Sequence, residues 1–269
     1  MKTKHDVRLI VGAVILLIII GVAVFAPLWT HYPAGRMDIR QRLLPPSSEH
    51  WLGTDLKGID IWTSLLYGAR ISLSISFVTV LISTVIGSSL GLLAGYYRGW
   101  VEQILMRWID ILLAFPGMIL SLTLATFMVP TYFSLVLAIS LTAWIGPARL
   151  VRGEILSLRE REYVVAAHAL GVSPVSLLFK HLFPSVLPII FTQMTTSISG
   201  IILIESGLSF LGLGPKGKIP TWGQLLSEGR TVITESPILA IAPGLAIFLV
   251  VFSVNLIGDA LRDDARGMS

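Results

Sequence analysis

The residues Gly212 to Lys218, GLGPKGK, set two glycines five positions apart and follow them with a lysine. A phosphate-binding loop needs a hydroxyl next, to hold magnesium, with a strand before it and a helix after it. Here Ile219 and Pro220 follow, an apolar helical run precedes, and the charge distribution described below puts the segment outside. The nucleotide reading fails, so any ATP and magnesium used must bind another chain. His168 and His181 stand 13 apart with no carboxylate at ligand spacing, which makes a polar surface contact a better account of them than zinc. His31 and His50 share a loop that only an external metal could reach, and no metal site is assigned to this chain. Gly207-Leu208-Ser209 offers a serine, but no later span carries a histidine to act as its base, so enzyme chemistry finds no footing. Glu205 remains. An ionisable residue at membrane depth is a functional candidate, and about 23 helical residues from His181 place it near the outer interface, within reach of water. Two readings stand for it: with Ser209 it lines a pathway or outer gate, or it hydrogen-bonds to the SGLSFLGLG turn that follows.

The elements that carry these residues are set by composition. Of 269 residues, 54% are hydrophobic and 13% charged, and the mean hydropathy is +0.81. A soluble domain carries about a quarter charged residues. The apolar residues are gathered into long runs, which marks a chain that spans a bilayer many times. The longest polar segment, between Trp29 and Arg70, has about 40 residues, too few for a core of its own. The net charge of +4 need not mean nucleic acid, because the basic residues fall between spans. With no cysteine, the chain has neither disulfides nor thiolate metal sites.

The pattern predicts an all-α polytopic membrane protein, a single transmembrane domain over 1–269, with six spans at about 9–28, 71–97, 104–128, 132–151, 184–205 and 237–258. The run from 111 to 148 is about 38 residues without a charge, which as one helix would measure about 57 Å, so it divides into two spans near Pro130. Gly87, Gly91 and Gly95 repeat at intervals of four, a ridge suited to close helix packing. Trp51 and Trp62 suit a membrane interface. With the N-terminus inside, Lys2, Lys4, Arg8, Arg98, Arg107, Arg149, Arg152, Arg159, Arg161, Lys180, Arg262 and Arg266 are internal, 12 of the 20 basic residues. They fall in short segments, where positive charge sets orientation most strongly. Both termini are therefore expected in the cytoplasm.

Between the fourth and fifth spans lies 159–184, REREYVVAAHALGVSPVSLLFKHLFP, the longest polar-flanked interruption of the apolar sequence. It reads as two short helices. The first runs from about Glu160 to Leu170, opens on acidic residues that suit a helix N-terminus, and closes at Gly171. The second restarts at Ser173-Pro174, a cap and the one proline position a helix accepts freely. Ala166, Ala167, Ala169 and Gly171 give the element a smooth face for the backbone of a partner.

The chain resembles the inner-membrane permeases of binding-protein-dependent ABC importers, in the dipeptide, oligopeptide and nickel group, second permease type. The motifs that carry the resemblance are WLGTDLKGID at 51–60 with GARISL at 68–73, DILLAFP at 110–116, and EYVVAAHALGVS at 162–173 with KHLFP at 180–184. ESGLSFLGLG at 205–214 with PTWGQLLSEGR at 220–230, and APGLAIFLVVFSVNLIGDALRD at 242–263, complete the set. The resemblance implies that Glu162, Tyr163, Ala166, Ala167, Ala169, Gly171, Ser173 and Pro184 form a coupling-helix pair that docks on a separate ATPase. It implies as partners a homologous second permease in a heterodimer, two ATP-binding subunits, and an extracytoplasmic solute-binding protein, assembled in a bacterial or archaeal inner membrane. ATP and magnesium would serve those partner subunits, with no cofactor on this chain. Three positions depart from the family pattern: Val165 for a glutamate, Phe183 for a leucine, and Ile59 for an arginine. Cargo stays open between peptides and nickel or metal chelates, the short tail after GDALRD being closer to the nickel-type members. An ion-coupled secondary carrier acting alone is the alternative, but it calls for internal repeats and ionisable groups at mid-membrane, neither of which stands out. A structural or assembly subunit would not need the small-residue coupling pair.

Overall fold

Asp60 starts the longest uninterrupted α-helix of the chain. Its side chain accepts the Thr63 N–H at 2.8 Å, capping α2 (Ile61–Tyr97, 37 residues). The helix thus begins ten residues before the expected start at 71, because the cap lies upstream of Arg70, which becomes a residue of the outer helical turns rather than a boundary. The computed structural model describes the backbone of residues 2–267 and the side chains of 7–263 apart from that of His168. The side chains of Lys2, Lys4, His168 and Arg266, singled out in the sequence, lie outside the described residues.

The architecture is all-α and multi-span, as expected. Among the described residues, the single β pairing is an isolated bridge between Thr54 and Asp60 in the outer loop. Among the described residues, five helices are long and apolar enough to cross a membrane, or six if one bent pair counts as a span. The first, α1 (Lys2–Val24), lies against the last. Gly12 permits this contact, since a Cβ there would fall 2.7 Å from the Ser253 carbonyl oxygen.

The bent pair is α3 (Gly99–Leu113) and α4 (Gly117–Thr126), which meet at 83°. The break falls just ahead of Pro116, where a helix cannot continue with its full hydrogen bonding. The two halves run beside the two parts of the fourth span, α5 (Tyr132–Ala143) and α6 (Ile145–Leu158). Ile109 of α3 packs with Ile145 and Ala148, Glu102 pairs with Arg152, and Ser121 of α4 shares a hydrogen bond of 2.7 Å with Thr142. The pair falls where one span, 104–128, was expected, and counts as that span if the two bent halves cross together. The turn at Pro130 is closed by Thr131, whose hydroxyl accepts the Ser134 N–H at 3.1 Å.

After α7 (Glu162–Ala169) the chain departs from the expected pair of short helices. Ser173 caps a turn at Pro174–Ser176, which passes through a π-helical segment, Leu177–Leu182, into α8 (Phe183–Leu208) without a break. The whole run from Pro174 to Leu213 is a single apolar element of 40 residues. The second member of the pair is thus the inner end of the fifth span, and Pro184 lies inside that element instead of beginning a span. A wide turn there seats a residue that has no N–H and whose ring would crowd the Lys180 carbonyl in a regular α-helix. Two further helices complete the chain, α9 (Trp222–Thr231) and α10 (Ile238–Gly267), the latter reaching past the expected end at 258.

The core lies along α2. Its Gly87, Gly91 and Gly95 face the backbone of α6: a Cβ on Gly87 would strike the Trp144 carbonyl, one on Gly91 the Ala148 carbonyl, and one on Gly95 would come within 2.8 Å of the Ile155 Cβ. At all three positions of this ridge α2 and its neighbour approach within the reach of a Cβ.

Candidate functional site: an inner elbow and an outer polar hub

At one end of the bundle, α7 is terminated by a Schellman motif. Gly171 takes φ +81°, the Val172 N–H donates to the Ala167 carbonyl at 3.1 Å, and Val172 and Ala167 pack into the same apolar cluster. One face of α7 turns inward, where Val164 is buried with Leu158, Leu177 and Leu182. The opposite face is open: Tyr163, Val165, Ala166, Ala169 and Leu170 are exposed, Leu170 at 85%. A Cβ on Gly171 would meet nothing within 4 Å. Ser173 is also exposed, its hydroxyl engaged with the Ser176 N–H at 3.4 Å.

Toward the opposite end of α8, Glu205 is fully buried. Its carboxylate accepts from Ser209 Oγ at 2.9 Å and Ser206 Oγ at 3.3 Å. Ser72 of α2 and Thr221, the N-cap of α9, bring their hydroxyls to the same group. Trp222 sits beside this ring, its backbone N–H donating to Ser72 Oγ at 3.2 Å and its indole N–H to the Leu65 carbonyl at 2.9 Å. Gly223 lets α9 lie directly on α8, since a Cβ there would strike the Ser206 carbonyl. The hub therefore gathers the second span, the fifth span and α9 around one buried carboxylate, with the Trp222–Ser72 bond joining α9 to α2 in a low-dielectric setting that strengthens it.

The outer loop is fastened to α9 next to this hub. Asp55 accepts the N–H groups of Lys57 at 2.7 Å and Ile59 at 2.8 Å, and the Lys57 ammonium donates to Glu228 Oε1 at 2.6 Å. Burial pushes the Asp55 carboxyl above the usual range, and nearby Glu228 adds to that, against the two N–H bonds that favour the anion. The bond to Glu228 raises the Lys57 ammonium above its ordinary value, against the burial that opposes it. Asp55, Lys57, Ser209, Lys216, Gln224 and Glu228 line a polar cavity of about 330 Å³ between the loop and α9. His50 and Asp60 form a buried pair, Nδ1 to Oδ1 at 2.9 Å, with Tyr32 stacked on the imidazole at 4.8 Å. His31 instead packs edge-on against Trp51. No cluster of three or more metal-capable side chains occurs among the described residues.

With this geometry in view, comparison with known families is decisive. Residues 87–266 match the binding-protein-dependent transport system inner membrane component. The chain belongs to that family. Residues 4–46 also match the N-terminal transmembrane domain of oligopeptide transport permease C. The chain is 40% identical to the dipeptide transport system permease protein DppC of Alkalihalophilus pseudofirmus, over 97% of this chain and 86% of that protein. It is 39% identical to the glutathione transport system permease protein GsiD of Pectobacterium atrosepticum, over 94% and 85%. The oligopeptide transport system permease protein OppC of Bacillus subtilis is 36% identical, over 98% and 86%.

The permease is thus a multi-pass inner-membrane component of a transport system, in the dipeptide and oligopeptide group, as the sequence motifs implied. Its structure sorts the residues read from those motifs. Tyr163, Ala166, Ala169, Gly171 and Ser173 are exposed together at the elbow with Glu162, whereas Ala167 packs inward against the core. Glu205 and Ser209 do come together, but the expectation that water reaches Glu205 is corrected: four hydroxyls and α9 cover it. Sequence reading missed Ser72, Trp222 and the Lys57–Glu228 pair. The proline, tryptophan and small residues of PTWG were a usable signal for a tightly seated helix start, but the partner of each residue was not.

Proposed function

We propose that this permease forms one half of the translocation path of an ATP-driven peptide importer, and that α7 couples it to a separate ATPase. The observation that carries this reading is the outward face of α7: Tyr163, Val165, Ala166, Ala169 and Leu170 stand exposed on a helix whose other side is locked into the core. A small, apolar, rigidly backed surface at the internal end of the chain is suited to burial in a groove of a partner. The partners inferred are a homologous second permease, two ATP-binding subunits holding ATP and magnesium, and an extracytoplasmic solute-binding protein. Both termini lie in the cytoplasm, given the basic residues of the inner segments.

In this mechanism the permease does no covalent chemistry. ATP binding draws the two ATPases together and carries the α7 elbows with them. The spans then pass between an inward-facing and an outward-facing arrangement as packed units. The Glu205 ring belongs to the outer closure in this scheme, since it joins two spans and α9 through bonds that a rearrangement can exchange.

Peptides are the cargo class supported by the relatives named above, which are named for dipeptide, glutathione and oligopeptide transport. Calorimetry on the cognate binding protein with dipeptides, longer peptides, glutathione and nickel tests the assignment. Heat from nickel alone would overturn it. The importer reading is tested by proteoliposomes: uptake needs the ATPase subunits and internal or external ATP on their side of the membrane. Solute accumulation by this permease alone would sink it in favour of a secondary carrier.

A further inference from the structure

The geometry points to Arg159 as a positioning residue that clamps the inner end of the second span to the root of the coupling helix, so that α2 and α6 move as one body. The inference deepens the importer reading and rests on it. Helix α2 ends abruptly: Arg98 takes φ +54°, and the last turn leaves carbonyls with no intrahelical donor. Arg159, three residues before α7, supplies the donors. Its guanidinium bonds to the carbonyl of Tyr96, reaches that of Gly95 at 3.4 Å, and lies 5.4 Å from the centre of the Tyr96 ring. A cation at a helix C-terminus is also favoured by the helix dipole, and a guanidinium over a ring by the ring quadrupole.

The clamp closes one end of an interface that has no slack elsewhere. Gly87, Gly91 and Gly95 bring the α2 backbone onto α6, where a methyl group on either of the first two would strike a main-chain carbonyl and one on Gly95 would crowd the Ile155 side chain. Beyond them, Ser72 on the outer part of the same α2 helix touches the Glu205 ring and Trp222. A displacement of α7 is therefore handed to α6, through Arg159 to α2, and along α2 to the outer hub. Without the clamp, the coupling segment can shift while the carbonyl end of α2 stays behind.

Two arms test this in the reconstituted complex with its ATPases and loaded binding protein. In the first, Arg159→Met is expected to retain the ATPase subunits and their turnover while uptake per ATP falls about tenfold, the weight of a hydrogen bond from a charged donor. Arg159→Lys, which keeps the cation and a donor, restores most of that ratio. A wild-type ratio for Arg159→Met overturns the proposal, as does loss of ATPase attachment in step with uptake, which would place Arg159 in docking. In the second arm, Arg98 and Glu160, an exposed pair 3.4 Å apart beside the clamp, are replaced by cysteines in a chain that has none. They are then bridged with a short reducible bis-thiosulfonate. Uptake that persists in the bridged complex supports a single moving body; uptake abolished by bridging and restored by reductant overturns it. If the wild-type complex transports without its ATPases, the importer reading fails instead, which separates the two failures.

Discussion

The Lys57 ammonium and the Glu228 carboxylate meet at 2.6 Å although 171 positions separate them in sequence. The contact ties the loop before the second span to the helix before the sixth, and it does so beside a buried aspartate. Because both side chains keep some contact with solvent, removing either is expected to cost less than about 1 kcal/mol. A double-mutant cycle of Lys57→Met and Glu228→Gln, read by thermal unfolding in detergent, should return a coupling energy of that size that shrinks with salt. A coupling near zero at low salt would mean that the contact does not fasten the loop.

Asp55 gives this region a pH dependence. Its folded pKa is raised, so the folded state binds the proton more tightly than the unfolded chain does. Its contribution to stability therefore falls as pH rises from the ordinary carboxylate range through the raised folded value. Lys57 acts in the same direction at the alkaline end, since its folded pKa is also raised: its contribution is complete below the ordinary lysine range and lost as pH rises through the folded value. Asp55→Asn keeps an oxygen for the Lys57 and Ile59 N–H groups and removes the buried charge. As pH rises from about 4, the ordinary carboxylate value, unfolding temperature should change less in this variant than in the wild type. An unchanged or steeper pH dependence would count against the assignment.

At the hub, Glu205→Gln preserves acceptor and shape, whereas Glu205→Leu leaves the hydroxyls of Ser206 and Ser209 without their acceptor. Each buried hydroxyl left unpaired costs about 1–3 kcal/mol. The leucine variant is expected to unfold well below the glutamine variant, and to lose the seating of α9, read as faster proteolysis between Leu213 and Trp222. Equal stability of the two would show that the carboxylate does not organise the ring.

Gly171 separates backbone from surface. Alanine and aspartate both meet the penalty of the left-handed conformation, about 1–2 kcal/mol, and neither clashes, since the position is open. Only aspartate adds a charge to the face proposed to dock on the ATPase. Gly171→Asp should leave the permease in the membrane but abolish substrate-stimulated ATP hydrolysis, while Gly171→Ala keeps most of it. Stimulation by the aspartate variant at the wild-type level would rule out this face as the ATPase contact.

The glycine ridge offers a purely steric test. Gly91→Val drives a branched side chain into the Ala148 carbonyl, an overpacking that costs about 1–3 kcal/mol or more. Yield of folded permease should drop sharply, and far more than for valine at Gly153, where a Cβ meets nothing within 4 Å.

Much of this fold was legible because a bilayer makes the apolar runs long and the charges rare. The glycine spacing on α2 predicted its packing, and the polar stretch at 159–184 marked the elbow, with Gly171 as its stop. Where boundaries were misplaced, a local signal was outweighed by another. Arg70 concealed the cap at Asp60. Pro184 suggested the start of a span, although a widened turn carries the helix through it. Pro116 breaks the third span by 83° inside a charge-free run, where hydropathy has no contrast to offer. The outer hub was illegible for a different reason. Ser72, Glu205 and Thr221 come from three separate stretches, and their juxtaposition is a product of packing that no local pattern encodes.

The continuous helical run from Pro174 to Leu208 has a mechanical corollary. Glu205 lies 31 residues beyond Pro174, so the two ends of this strut are roughly 45 Å apart. Pivoting such a strut by about two degrees at its Pro174 end swings its far tip by about 1.6 Å, more than the range of lengths over which a hydroxyl and a carboxylate remain bonded. A barely perceptible nudge at the foot is thereby magnified into the making or breaking of a contact on the opposite side of the bilayer.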